Sequence, residues 1–343
     1  MKTAVVLFNL GGPDSPDAVR PFLTNLFSDP AIISLPAPLR WPLARLIAGR
    51  RTPVAKAIYA RIGGASPILP ETRAQAAALD EALDRRGHAA HSFIAMRYWK
   101  PFSAEAANEV RAWGPDRIVL LPLYPQFSTT TTASSLGDWA KAAKAAGLAA
   151  PVSRVCCYPW NGGFIAAAAR LVRAALAARK PGLDYRVLFS AHGLPERVVA
   201  GGDPYQWQVE KTAAAIVTEL AIPGLDHTVC YQSRVGPLKW IGPATDAEIR
   251  RAGHEAKGVI VVPIAFVSEH SETLVELDIE YAHLAREAGV ADYRRVPAVA
   301  TAPEFIEGLA DLVEAALAGD GPVTCGRGRI CPAERGRCGY EGA

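Results

Sequence analysis

The stretch RVLFSAHGLP (residues 186–195) decides the fold. It starts with a short apolar run typical of a buried strand and continues directly into a loop with a His, a Gly and a Pro. The same sequence of apolar run and unusual loop recurs along the chain. The further loops are NLGGP (9–13), RY (97–98), YPQFSTTTT (124–132), YQSRVGP (231–237) and AFVSEH (265–270). The chain is therefore organised by strands whose ends carry special residues.

Apolar runs of strand length alternate with longer segments of helical character. The predicted strands lie at residues 3–8, 92–96, 117–123, 152–157, 186–190, 228–231, 259–264 and 293–296. The predicted helices include residues 70–86, 103–113, 163–179, 205–220, 269–288 and 303–317. Strands separated by helices of this length form parallel sheets that are covered by helices on both faces. The pattern predicts an α/β protein.

A chain of 343 residues is too long for one ordinary core and suits two α/β domains. The strands divide about equally near residues 147–151, so we predict domains at 1–150 and 151–320. The last helix is assigned to the second domain, with packing against the first as an alternative. Ligands bind outside the carboxyl ends of strands in open α/β sheets. Six special loops in two sheets therefore predict an active-site cleft between the domains.

The bulk composition excludes several classes of protein. Hydrophobic residues make up 50% and charged residues 21%, which is typical of a globular protein. A net charge of +3 gives no concentrated basic surface for nucleic acid. The N-terminal MKTAVVLFNLGG has no cleavage site of a signal peptide, and no stretch is long and apolar enough to span a membrane. We expect a cytoplasmic protein.

Five motifs, in order, resemble the ferrochelatase family from about residue 3 to about residue 318. They are NLGGPDS (9–15), RRTPVAKAIYARIGGASPI (50–68), SAHGLP (190–195), YQSRVGPLKWIGPATD (231–246) and AFVSEHSETLVELDIEY (265–281). The resemblance implies two Rossmann-like domains, each a four-stranded parallel sheet flanked by helices, with the porphyrin cleft between them. It also implies a lyase-class chelatase of the bacterial protoporphyrin type, which inserts Fe²⁺ into protoporphyrin IX in the terminal step of haem biosynthesis.

Metallation of a porphyrin removes two pyrrole N–H protons, so the site needs a neutral base. His192 is the candidate because an imidazole titrates near neutrality. Glu269, Glu272, Glu276 and Glu280 are spaced 3, 4 and 4 residues apart, which predicts one acidic stripe on a helix. Such carboxylates suit a hard cation or a proton path, and Glu272 is the predicted second catalytic residue. The predicted metal-contacting residues are His192, Glu269, His270, Glu272 and Glu276.

The porphyrin needs apolar walls and cations for its propionates. By resemblance, the predicted contacts are Leu10, Arg51, Tyr59, Ser66, Arg97, Tyr98, Trp240 and Phe266. Core packing is the alternative role for each aromatic residue, and surface ion pairs are the alternative for each Arg. Residues 31–48 look like the apolar lip of the family and favour peripheral contact with the cytoplasmic face of a membrane. Folding into the core is the alternative. A homodimer is a further expectation.

The cysteines cluster near the C-terminus, in the Cys-rich extension of residues 321–343. Cys325, Cys331 and Cys338 lie within the last 19 residues, which suggests metal ligands more than disulfides in a chain without an export signal. Some ferrochelatases hold a [2Fe–2S] cluster with three C-terminal cysteines and one from the body. By this resemblance, Cys156 or Cys157 supplies the fourth thiolate.

Two rival functions are considered. One is a chelatase for another tetrapyrrole, such as coproporphyrin with Fe²⁺ or sirohydrochlorin with Co²⁺. The sequence RRTP (50–53) and the apolar lip favour the protoporphyrin type, and the length of the chain argues against the shorter cobalt enzymes. The other is a haem or porphyrin carrier without turnover. A carrier would have no use for His192 together with the acidic stripe.

Overall fold

A computed structural model describes residues 1–234, 236, 238–319 and 321–340 of the chain. It divides into two compact units. The first consists of the described residues within 1–157, 309–330 and 339–340, and the second of those within 158–308 and 331–338. The chain therefore returns to the first unit in its last helix and again at its end.

The first unit contains a parallel five-stranded sheet in the order β2-β1-β3-β4-β9. Its strands are β1 Thr3–Asn9, β2 Ala90–Met96, β3 Arg117–Pro122, β4 Val152–Cys157 and β9 Val323–Thr324. Strand β1, TAVVLFN, lies between β2 and β3 and is buried at all seven positions. Its continuous apolar run is typical of a parallel strand with helices on both faces.

Among the described residues, five helices lie wholly in the first unit. They are α1 Val19–Ser28, α2 Ala37–Ala60, α3 Ile68–Arg85, α4 Ser103–Trp113 and α5 Thr132–Ala146. Both α4 and α5 end at a glycine in the left-handed conformation, Gly114 with φ 66° and Gly147 with φ 71°. Glycine adopts this conformation without the steric cost of a Cβ, so it fixes where each helix stops.

The second unit contains a parallel four-stranded sheet in the order β6-β5-β7-β8. Its strands are β5 Tyr185–His192, β6 His227–Gln232, β7 Gly258–Pro263 and β8 Tyr293–Arg295. The chain runs from β5 to β6 on one side and then crosses to β7 on the other. The carboxyl ends of β5 and β7 therefore flank the point where the strand order reverses, which is where α/β sheets bind their ligands.

The helices of the second unit include one of unusual type. The α-helices are α6 Gly162–Ala177, α7 Glu196–Ala200, α8 Tyr205–Leu220, α9 Thr245–His254 and α10 Ala282–Glu287, and α11 Pro303–Ala318 leads from this unit into the first. Between β7 and α10, residues Glu272–Tyr281 form a ten-residue π-helix. Because π-helices are rare and are usually single turns at functional sites, this one makes residues 272–281 a candidate functional segment.

The predicted α/β fold is confirmed, with some differences in detail. The first sheet has five strands, not four, because β9 from the Cys-rich extension joins it. The strand at 152–157, predicted to start the second domain, pairs with β3 in the first sheet. In the first unit, α11 is tied to Arg86, whose Nη1 lies 2.8 Å from carboxylate oxygens of both Asp311 and Glu314. None of the helices in the described residues is both long and apolar enough to cross a membrane.

Candidate active site

His192 is the last residue of β5 and pairs in register with Gln232, the last residue of β6. Its Nδ1 lies 2.9 Å from Oε2 of Glu272, the first residue of the π-helix. The two side chains are 38% and 29% exposed, so both can be reached from solvent. The structure thus brings together the two residues that were predicted to be catalytic.

The contact between His192 and Glu272 sets their protonation. Burial lowers the pKa of His192, but the negative charge of Glu272 outweighs it and holds that pKa above its ordinary value. Burial likewise raises the pKa of Glu272, but the imidazole lowers it to about 2. A carboxylate only accepts hydrogen bonds, so the hydrogen of the neutral ring sits on Nδ1 and Nε2 is left as the proton acceptor.

Glu276 lies one turn further along the π-helix and receives four hydrogen bonds. Its Oε1 accepts from the main-chain N–H of Ser233 at 2.8 Å and from the hydroxyl of Tyr281 at 3.0 Å. Its Oε2 accepts from Oγ of Ser233 at 2.5 Å and from Nε2 of Gln232 at 3.2 Å. Burial and the charge of Glu272 nevertheless hold the pKa of Glu276 above its ordinary value.

Gln232, Ser233 and Tyr281 are site residues that the sequence analysis did not single out. Gln232 is fully buried, and its Nε2 also donates to the main-chain oxygen of Glu272 at 3.1 Å. Its Oε1 accepts from Oγ of Ser190 at 2.8 Å. A signal for the first two was present, because YQSRVGP was recognised as a special loop after a strand.

His270 lies beside Glu272 and differs from His192 in its electrostatics. Its Nδ1 accepts the main-chain N–H of Glu272 at 3.1 Å, and its ring meets that of Phe266 edge to face at 4.4 Å between centroids. Burial lowers the pKa of His270, which favours a neutral ring. The structure therefore places His270 and Phe266 in one contact group at the start of the π-helix.

The predicted acidic stripe is wrong in its geometry. It assumed one α-helix over residues 269–288, whereas Glu269 precedes the π-helix, and Glu280 is exposed. The carboxylate of Glu269 forms an ion pair with Arg295 at 2.7 Å and accepts the N–H of Ala298 at 2.9 Å. Glu269 thus holds the segment after β8, whereas Glu272 and Glu276 share the network at the end of β5 and β6.

Trp240 packs against the loop that follows His192. A Cβ on Gly193 would lie 3.3 Å from the indole and 3.0 Å from the main-chain oxygen of Gln232, so a larger residue here would be tightly packed against both. Trp240 also forms an isolated bridge with Pro195, and the N–H of the next residue, Ile241, donates to the oxygen of Leu194. The segment at Trp240 is therefore joined to the His192 loop by main-chain interactions.

In the first unit, several predicted porphyrin contacts lie in the protein's own core. Tyr98 is fully buried and Tyr59 is 7% exposed; they pack in one cluster with Leu10 at its edge. The hydroxyl of Tyr98 donates to Asp29 at 2.8 Å. Arg97, predicted to bind a propionate, lies 2.8 Å from Asp29 and donates from Nε to Oγ of Ser134 at 2.7 Å. The guanidinium of Arg97 is thus engaged by a buried carboxylate.

Ser66 and Arg51 occupy contrasting environments. Ser66 is buried against the NLGGP loop, and its N–H donates to the oxygen of Pro13 at 2.7 Å. Arg51, on α2, is exposed and forms no ion pair with any described residue. Of the two predicted propionate-binding arginines, Arg51 is the one with an available guanidinium.

Comparison with known proteins identifies the family of the chain. The family model described as Ferrochelatase matches residues 2–317. The chain is 59% identical over 340 residues to the ferrochelatase of Caulobacter vibrioides, covering 98% of this chain and 97% of the relative. It is 57% identical to that of Phenylobacterium zucineum, covering 98% of each.

The chain belongs to the ferrochelatase family. It is therefore a metal chelatase that acts in haem biosynthesis, with ferrous iron as a substrate. Among solved structures, the sirohydrochlorin chelatase SirB from Bacillus subtilis subspecies spizizenii in complex with cobalt matches with a TM-score of 0.54 and 12% identity, covering 93% of this chain and 97% of that chain. At this identity the likeness concerns the fold alone.

The cysteines predicted to bind a cluster lie at the end of β4 and in the C-terminal extension. Cys156 and Cys157 are buried at the end of β4, and the N–H of Cys325 donates to the oxygen of Cys157 at 3.3 Å. Sγ of Cys331 accepts from Nε2 of Gln208 at 3.0 Å. The six cysteines, all within the described residues, form no disulfide. Across residues 1–234, 236, 238–319 and 321–340, no three or more His, Cys, Asp or Glu side chains are arranged to hold a metal ion.

Proposed function

We propose that this chelatase inserts Fe²⁺ into protoporphyrin IX to form protohaem, with His192 as the base. The observation that carries the proposal is the contact between Nδ1 of His192 and Glu272, which leaves Nε2 as an acceptor on an exposed ring. A raised pKa makes the neutral ring a stronger base, so it can take a proton from a pyrrole nitrogen near neutral pH.

The reaction exchanges two protons for one divalent ion. In the proposed mechanism, Nε2 of His192 accepts a pyrrole proton, and the negative charge of Glu272 stabilises the resulting imidazolium. Glu272 also offers a hard carboxylate to the incoming Fe²⁺. His192 then releases its proton to solvent and repeats the step for the second pyrrole, so that Fe²⁺ enters as two protons leave.

The porphyrin contacts remain proposals, and their support differs. Phe266 and Trp240 are partly exposed aromatics next to His270 and the His192 loop. Leu10 is partly exposed, and Arg51 has an available guanidinium. Tyr59, Ser66 and Tyr98 are buried in the first unit, and the side chain of Arg97 is 19% exposed and paired with Asp29. These environments support a structural role, behind the residues that contact the porphyrin.

An assay of iron insertion under anaerobic conditions tests the function and its substrate. Protoporphyrin IX and coproporphyrin III are offered separately with Fe²⁺, and loss of free-base porphyrin fluorescence is measured. We expect the higher kcat/KM with protoporphyrin. A higher value with coproporphyrin would make the alternative tetrapyrrole the substrate, and binding of either porphyrin without turnover would make the protein a carrier.

We propose peripheral contact with the cytoplasmic face of a membrane through α2. Its support is a row of exposed apolar side chains, Leu39, Trp41, Leu46 and Val54, of which Val54 is 63% and Leu39 62% exposed, interspersed with arginines. Flotation with anionic phospholipid vesicles tests it, because Trp41→Ser should reduce binding and Ile222→Ser, on the second unit, should not. Sedimentation without lipid tests the homodimer as the alternative cover for this surface.

We propose that Cys325, Cys331, Cys338 and one of Cys156 and Cys157 hold a [2Fe–2S] cluster. Four thiolates are the usual requirement, and the pairing of β9 with β4 supports the choice, since it sets Cys325 beside Cys157. Cys230 is a poorer donor because burial raises the pKa of its thiol to about 12. A bound cluster would supply metal-binding energy that ties down the extension.

Spectroscopy of protein purified anaerobically tests the cluster. We expect a reddish-brown protein with about two irons and two sulfides per chain. Cys331→Ser should bleach the protein and lower its stability, while Cys230→Ser should keep the colour. Colourless protein that contains zinc, or a full cluster spectrum after replacement of both Cys156 and Cys157, would exclude this set of ligands.

A further inference from the structure

The carboxylate of Glu276 is fully occupied by the protein. An ionised carboxylate offers about four lone-pair directions, and Glu276 receives two donors on each oxygen, from Ser233 twice, from Tyr281 and from Gln232. By contrast, Glu272 is contacted at Oε2 by Nδ1 of His192, and its side chain is 29% exposed. A cation could bind Glu276 only by displacing donors that are already in place.

The donors form a built receptor at the end of β6. Ser233 has a φ of 59°, a left-handed conformation that is uncommon for residues other than glycine. In this conformation both its N–H and its hydroxyl reach the same carboxylate. Such an outlier persists only where the surroundings hold it, and here the interaction with Glu276 accounts for it.

The receptor also connects the two elements that carry the catalytic pair. Nε2 of Gln232 donates to Glu276 and to the main-chain oxygen of Glu272, so it binds the first turn of the π-helix at two points. Oε1 of the same amide accepts from Ser190, two residues before His192 on β5. One buried side chain therefore joins the strand of His192 to the helix of Glu272.

We propose that Glu276 is a positioning residue and not a ligand of the incoming iron. Clamped by Ser233, Gln232 and Tyr281, it fixes the π-helix against β6 so that Glu272 meets Nδ1 of His192. The inference rests on the proposed function, because it assigns Glu276 its part in that reaction. The two carboxylates of this helix then have different roles. Glu272 takes part in the reaction through His192 and the incoming Fe²⁺, and Glu276 holds Glu272 in place.

Steady-state kinetics of four variants test the role. Ser233→Ala, Tyr281→Phe and Glu276→Gln weaken the clamp, while Tyr185→Phe removes a hydroxyl that binds Asp292 elsewhere in the unit. Because misplacement of a catalytic group costs rate, the three clamp variants should lose about tenfold or more in kcat, with KM for Fe²⁺ unchanged and Tyr185→Phe fully active. A KM for Fe²⁺ that rises in Glu276→Gln alone, with Ser233→Ala and Tyr281→Phe at wild-type kcat, would make Glu276 an iron ligand and overturn the inference.

Hydrogen–deuterium exchange of the metal-free, porphyrin-free protein supplies a readout that needs no turnover. The clamp variants should all speed exchange of the amides of residues 272–281, and Tyr185→Phe should not. Unchanged exchange in the three variants would refute the positioning role even if activity fell. If the wild-type protein inserts no iron while the variants still loosen this segment, the proposed function fails and the clamp stands.

Discussion

The carboxyl ends of the two sheets carry similar residues and use them differently. In the first unit, Arg97 follows β2, but its guanidinium is bound to the buried carboxylate of Asp29 and to Ser134. In the second unit, His192 ends β5, and Glu272 holds one of its ring nitrogens while the other is left to accept a proton. Both residues follow a predicted strand; Arg97 was predicted to bind a propionate from the family resemblance, and His192 was predicted to be the base.

The difference shows that a polar residue at a strand end is an active-site residue only if some of its bonding capacity stays open. The guanidinium of Arg97 pairs with Asp29 within the unit, and the hydroxyl of Tyr98 donates to the same carboxylate. His192 keeps an acceptor atom on a ring that is 38% exposed. The same distinction separates Arg97 from Arg51 and Glu276 from Glu272, so the comparison can be tested with matched substitutions.

The largest effect is expected for His192→Ala. Loss of a general base costs about 10²- to 10⁴-fold in rate, and His192 is the residue with the open acceptor, so we expect turnover to fall by at least about a hundredfold. Fluorescence-detected iron insertion at pH 7–8 measures it. The variant should bind porphyrin and give a wild-type circular dichroism spectrum. Retention of more than about a tenth of wild-type turnover would remove His192 from the role of base.

Glu272→Gln should lower the rate and also shift its pH dependence. His192 acts when neutral, so the wild-type rate falls as the pH drops through its raised pKa. Without the carboxylate, burial remains the dominant influence and lowers the pKa of His192. The acidic limb of the kcat–pH profile should therefore move to lower pH, while porphyrin binding is kept. An acidic limb that does not move would show that His192 titrates independently of Glu272.

The parts of the molecule that were predicted from the sequence follow local rules. The continuous apolar run of β1 predicted a parallel sheet. The loops after β5, β6 and β7 predicted that His192 and Glu272 lie in one site, because parallel strands bring their carboxyl ends to one edge. Those rules are set by side-chain burial and strand direction. They hold over short distances in sequence.

The parts that were missed depend on contacts that no local pattern encodes. Glutamates spaced 3 and 4 residues apart predict an α-helix, but the segment at residues 272–281 is a π-helix. Its Glu276 accepts hydrogen bonds from Ser233, some 40 residues away in sequence. The two-residue strand β9 is too short for a periodic signal. Likewise, the acceptor for the guanidinium of Arg97 is Asp29, which lies in another loop, so its role as a core ion pair was not visible.

Arg97→Met should affect stability more than chemistry. It leaves the carboxylate of Asp29, 2% exposed, without its cation, and breaking such a buried pair costs about 3 kcal/mol in free energy of unfolding. Urea denaturation monitored by circular dichroism measures the loss. Arg51→Met is the matched control, because its guanidinium is exposed and has no carboxylate partner among the described residues. Equal stability of the two variants would mean that the ion pair with Asp29 contributes little.

The smallest effect is expected for Arg51→Met, which should change porphyrin binding and leave stability unchanged, the opposite of what is expected for Arg97→Met. If Arg51 binds a propionate, its loss removes one exposed charge-assisted contact, worth about 1 kcal/mol and therefore several-fold in affinity. KM for protoporphyrin IX should rise by about that factor, with kcat and the urea midpoint unchanged. Because the contact is ionic and near solvent, raising the salt concentration should weaken porphyrin binding to the wild type and reduce the difference in KM between the two proteins.

Arg45→Met replaces another exposed arginine on α2 and controls for the general charge of the helix. An unchanged KM in Arg51→Met, or an equal rise in Arg45→Met, would show that an exposed, unpaired guanidinium on this helix is not by itself a propionate site. A free hydrogen-bonding group would then be necessary for a functional residue but not sufficient.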